Sequence, residues 1–137
     1  MLQRDYILRL IREFMMALQR VLEKDVESRR EELKQLYEQY VGSYDCYHNA
    51  TVEEALDELS AYDEGERVER TAMLAELYLA EAETESEPLH SDLLLRAFAL
   101  FDLIDRNSKT YDLSRKAKMK RIHDELGGAA VEGQVKT

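Results

Sequence analysis

"LAELYLAEAETESEPLHSDLLLRAFALF", residues 74–101, decides the fold. Its opening continues an apolar side that begins upstream. Val68, Met73, Leu74, Leu77, Tyr78 and Ala82 fall on one face of a helix from about Glu66 to Glu85, because helical side chains return to a face every three or four residues. Its end belongs to a second helix, from about Leu89 to Arg106. There Leu93, Leu94, Ala97, Phe98, Leu100, Phe101 and Ile104 make an apolar arc wide enough for burial on two sides. "ETESEP" between them holds the only proline of the chain and is its clearest linker. Two such helices joined by a short polar link are expected to pack as a pair.

Upstream, Leu2, Tyr6, Ile7, Leu10, Ile11, Phe14, Leu18, Val21, Leu22 and Val26, then Leu33, Leu36, Tyr37, Tyr40 and Val41, keep steps of three and four. The stripe lapses at "ESRREE", where one long helix passes a solvated turn or two helices meet near Glu23–Glu27. Nothing in that window breaks a helix, so a long N-terminal helix is expected, bent if anything. Gly42 ends it. "GSYDCYHNA", residues 42–50, reads as a loop. Thr51 with Glu54 three residues on forms a capping-box pattern for a short helix whose apolar contacts are Leu56 and Leu59. Gly65 separates that helix from the next.

Downstream, "RNSKTY" leads to a last helix, about Asp112 to Leu126, with Asp112 as cap and Leu113, Ala117 and Ile122 as apolar points. No segment alternates like a strand. The expected architecture is all-α: antiparallel helical hairpins, about five helices, one domain over residues 1–126, and a disordered tail over 127–137.

Composition agrees. The chain has 137 residues, 45% apolar and 35% charged, with five glycines, three of them near the C-terminus. It is long enough for a real core and nearly free of helix breakers. No stretch approaches the roughly 18–20 apolar residues that span a bilayer, and the N-terminus lacks the apolar run of a signal peptide. One cysteine cannot make an internal disulfide. A cytoplasmic protein without a membrane partner is expected.

The net charge of −10 is uneven. Residues 50–92 carry fourteen Asp or Glu against two Arg, and residues 106–123 carry seven Lys or Arg against one Asp. The overall sign opposes general nucleic-acid binding, which needs a basic footprint. The basic run "RKAKMKRIHDEL", Arg115–Leu126, has acidic neighbours Asp102, Asp105 and Asp112 and lacks the tight preceding turn of a recognition helix.

Catalytic and metal motifs are thin. Cys46 and His48 lie close, but Asp45 would raise the thiol pKa, and two ligands fall short of the four of a structural zinc site. Glu87 and His90 have the Glu-x-x-His spacing of di-iron bundles, yet Pro88 lies between them and no second copy exists. There is no glycine-rich phosphate loop and no G-x-S-x-G elbow. No catalytic residue, metal ligand or cofactor is expected.

"LAELY" at Leu74–Tyr78 and "AFALF" at Ala97–Phe101 resemble the tetratricopeptide helix pair, in which small residues let two helices approach and aromatics fill between them. Leu74 to Ala97 is 23 residues, about ten more than that repeat allows, so "ETESEPLHSD" would be an inserted loop. The resemblance implies a repeat-like antiparallel pair rather than an array. "RDYILRLIREFMMALQRVL", "GERVERTAMLAELYLAEAE" and "LLLRAFALFDLIDRNSKTYDLSR" together resemble a family of small bacterial all-helical proteins of unknown function. That likeness implies a helical fold and a bacterial cytoplasm and brings no activity with it.

Helix pairs make grooves, so the expected function is a non-enzymatic interaction module. Its acidic wall, Glu76 and Glu83 with Tyr62 and Tyr78, would suit a basic peptide or helix. Phe14–Met16 places apolar residues on neighbouring sides of the first helix, which suits a homodimer. The alternative is a small-ligand binder or enzyme with a pocket between helices, and it would need Tyr, His and acidic side chains clustered around a cavity.

Overall fold

Helix α5 (Glu64–Ala82) is the centre about which the other elements are arranged. From Arg70 to Ala82 nearly every side chain of it is buried, including Met73, Leu74, Leu77 and Tyr78. A helix apolar on this many sides must be covered all round. The computed structural model describes residues 2–127, and it covers α5 with α6 (Leu89–Asn107), α2 (Val26–Tyr40), α1 (Leu2–Leu22) and the short α4 (Val52–Leu59). A short α3 (Tyr44–Asn49) packs on α2, and α7 (Leu113–Leu126) packs on α6. The described residues thus hold seven helices and no strand. The all-helical reading stands. The count of about five does not, and the tail at 128–137 lies outside the described residues.

Two corrections account for the extra helices. The expected long N-terminal helix ends at Leu22, and α2 begins afresh after Asp25, whose carboxylate accepts from the Ser28 amide at 2.9 Å. No breaker residue causes this. Some forty helical residues would span about 60 Å, so a continuous helix could not bring both halves of its apolar stripe to one core. The reversal at residues 23–25 lets Phe14 meet Tyr40 edge-on, ring centroids 5.2 Å apart, with both buried.

The second correction is "GSYDCYHNA". Ser43 caps it by accepting from the Cys46 amide, and Tyr44–Asn49 is helical, not a loop. Gly42 sets its angle of entry. There φ is 136°, and an added Cβ would stand 3.2 Å from the Tyr47 ring. Glycine alone meets both conditions. The Thr51–Glu54 capping box and the Asp112 cap form as the sequence predicts. Gly65 lies inside α5, which starts one residue before it.

α7 is held differently from the rest. Of its expected apolar points only Ile122 is buried; Leu113 is 73% exposed and Ala117 is exposed. Met119 and Leu126 pack against the core at partial burial, and ion pairs add to them: Lys118 to Glu76 at 2.5 Å, Arg121 to Glu83, and Arg115 and Lys116 to Asp105. His90 bridges the Ala82 carbonyl at 2.6 Å and Glu125 at 2.5 Å. The basic segment therefore lies over part of the acidic middle.

Ion pairs that reach solvent, such as Arg121 with Glu83, are screened by salt, while apolar contacts are not. Amides of α7 should exchange faster as salt is raised, while those of α5 stay protected. Unchanged α7 protection would show that Ile122 and its neighbours suffice. The bonds to the Ala82 carbonyl, and then Glu125, raise the His90 pKa above its ordinary value. Its contribution is therefore full below about pH 6.5 and is lost as pH rises through the folded value. Protection factors in α7 should fall over that window in the native chain and stay flat in His90→Gln.

Candidate functional site

Among the described residues Glu81 of α5 is the one carboxylate buried in the core, 2% exposed. A buried charge persists only when it is paired and hydrogen-bonded, and three side chains do this. Tyr37 of α2 donates to Oε1 at 2.6 Å, and Tyr44 of α3 donates to Oε2 at 2.8 Å. His48 Nδ1 lies 2.7 Å from Oε2 and 3.0 Å from the Tyr44 hydroxyl. Tyr44 and His48 share a face of α3 because they are four residues apart, and their rings stack with centroids 5.0 Å apart. Burial and then Glu81 push both the Tyr37 and Tyr44 hydroxyls up, so they remain donors.

This is the Tyr, His and acid grouping that a pocket enzyme would need, and it was not legible in the sequence. The 44-residue separation of Tyr37 and Glu81 hides it. Its polar atoms are turned on one another, and none of the clefts described below has them in its wall. The cluster ties α2, α3 and α5 together. Removing one donor leaves the buried carboxylate short of a bond, so Tyr37→Phe should lower stability by about 1.5–3 kcal/mol in urea unfolding. A neutral substitution would mean that the cluster does not bear on the fold.

Other sequence candidates are dispersed. Cys46 faces Glu54 and Glu58, away from the bonds His48 makes, and burial followed by those carboxylates raises its pKa. Glu87 accepts from the Ser91 amide and hydroxyl, while His90 turns to Ala82 and Glu125. Among the described residues no group of His, Cys, Asp and Glu is placed to hold a metal.

The four residues expected to bind a partner do not share one open wall. Tyr78 is wholly buried, donates to the Tyr47 carbonyl at 2.7 Å, and has its pKa pushed up to about 12 by burial. Tyr62 donates to the Val41 carbonyl at 2.9 Å and lies under the Arg70 guanidinium. Glu76 and Glu83 are engaged by Lys118 and Arg121 of α7. The periodicity that put Tyr78 on a helix face is equally the periodicity of core.

A groove lies elsewhere, along α6. That helix is apolar on a second face, where Leu95 and Ala99 are half-buried and Leu103 is 37% exposed. Val52 and Leu56 of α4 form the opposite wall, and the cleft between measures about 560 Å³. Through Leu56 and Leu103 it continues into a second cleft of about 630 Å³, bounded by Val68, Ala72 and Ile104. Through Asn49, Ala50 and Glu53 it continues the other way into a third, also about 560 Å³, lined by Asp45, Glu53, Glu54, Asp57 and Glu58 with no cation. The width of the α6 arc was the signal in the sequence; which part stays uncovered was not.

No helix is long and apolar enough to cross a membrane among the described residues. Protein-family models, curated proteins and solved structures were compared with the chain, and none matches it.

Proposed function

We propose that this chain is a non-enzymatic interaction module that binds a peptide or helix of a protein partner in the groove between α4 and α6. The observation that carries the reading is the uncovered second face of α6. Leu95, Ala99 and Leu103 recur every four residues, at partial exposure, opposite Val52 and Leu56. An amphipathic helix laid in such a groove contacts it through residues at the same spacing. Contiguous exposed apolar surface rimmed by polar groups marks interaction sites more often than chance exposure does.

The alternative, a ligand pocket or enzyme between the helices, would centre on Tyr37, Tyr44, His48 and Glu81. It has less support, because those groups satisfy one another rather than a cavity. Glu76 and Glu83 remain available to a basic partner only if it displaces Lys118 and Arg121. Self-association is a second proposal, resting on α1. There Leu8, Met15 and Leu22, seven residues apart, are 44%, 42% and 37% exposed beside the buried Ile7, Phe14 and Val21. Sedimentation that stays monomeric at the highest soluble concentration would remove it.

The groove is tested by placing a photo-crosslinking residue at Leu95 or at Leu103 in cells. A discrete adduct is expected from both positions and not from Arg9 on α1. Leu103→Glu should abolish the Leu95 adduct without changing the helical circular dichroism. A folded protein that yields no adduct from either groove position would sink the reading.

A further inference from the structure

We infer that the occupant of the α4–α6 groove is a basic amphipathic helix, an assignment that rests on the groove reading above. Charge decides it. Among the described residues none of Asp45, Glu53, Glu54, Asp57 and Glu58 takes part in an ion pair, although all five line the cleft that opens off the groove beside α4. Three of the four arginines that line the groove and its second cleft are already paired with carboxylates. Arg96 binds Asp92 at 2.6 Å and the His48 carbonyl at 2.8 Å, Arg106 binds Asp102, and Arg115 binds Asp105. Arg67 donates to the Ser60 and Tyr62 carbonyls. The groove thus presents an apolar floor, a flank along α3 and α4 of carboxylates without a cation partner, Glu54 among them bonded to the Thr51 amide, and one cation, Arg67, held by carbonyls alone.

A ligand that matches both features carries leucine-like side chains on one face and lysine or arginine on the adjacent flank. Along that flank a small anion or an acidic peptide meets the wrong sign, and a purely apolar peptide leaves the carboxylates unanswered. Length is set by α6. From Asp92 to Arg106 the groove wall runs about 21 Å, which is roughly four helical turns. Elsewhere the fold itself shows an acidic helix face taking a basic helix, where Lys118 and Arg121 of α7 meet Glu76 and Glu83.

The probe is a fluorescent synthetic helix of about four turns with leucines on one face and lysines on the flank. Its controls are the same peptide with glutamate for lysine, and a proline-broken version. Anisotropy with the full chain should show binding of the lysine peptide that weakens as salt rises and falls about tenfold in Glu53→Lys/Asp57→Lys. It should be lost in Leu103→Glu, and both controls should bind far more weakly. Equal binding of the glutamate peptide, or no effect of the charge reversal, overturns the basic assignment while the groove stands. Failure of the lysine peptide to bind the folded chain also overturns it. Cellular adducts at Leu95 and Leu103 that persist in that case would leave the groove with another occupant. Their absence would remove both readings.

Discussion

The near-complete burial of α5 is the constraint from which the rest of the structure follows. A helix exposed to water on one side can carry its charges there, but α5 has little such side between Arg70 and Ala82. Its two most enclosed charges, Arg70 and Glu81, both draw partners from other elements. Arg70 is met by the Tyr40 carbonyl at 2.5 Å and by Glu66 at 2.9 Å. Glu81 is met by Tyr37, Tyr44 and His48. These bonds fix where α2 lies along α5, and they require α3 to exist as a helix, since only helical spacing sets Tyr44 and His48 on the same side. Buried polar groups that are fully satisfied specify one arrangement of helices where apolar contacts alone would tolerate several.

The molecule uses two kinds of attachment. α1, α2, α5 and α6 meet through side chains such as Phe14, Leu33, Leu74, Leu93 and Phe101, all at most 2% exposed. α7 offers the buried Ile122, the partly buried Met119 and Leu126, and a set of ion pairs. Contributions of the first kind scale with area removed from water, whereas those of the second are small and screened. α7 is therefore the helix whose attachment is expected to respond most to salt and pH. It also pairs with Glu76 and Glu83, whereas Asp45, Glu53, Asp57 and Glu58 of α3 and α4 have no cation partner among the described residues.

That acidic surface adjoins the groove wall built from α6. α6 is apolar enough to be covered on two sides, and its own chain covers one of them with α5. α4 is eight residues long and shields only part of the other. A short helix beside a long one leaves a trough, and here its floor is Leu95, Ala99 and Leu103.

Much of the local structure was determined by the sequence alone. The α5 and α6 stripes, the Thr51–Glu54 box, the Asp112 cap and the turn at Gly42 depend on neighbours within a few residues, and local rules reach that far. The break between α1 and α2 could not be read that way, because the pressure to reverse comes from sharing one core rather than from any residue at 23–25. The role of "GSYDCYHNA" was hidden for the same reason. Its tyrosine and histidine acquire meaning only when Glu81, more than thirty residues away, is buried beside them. The assignment of apolar and acidic residues to core, to α7 or to the open groove was likewise decided by packing. Periodicity states which side chains share a face, and only the tertiary structure decides which faces another helix covers.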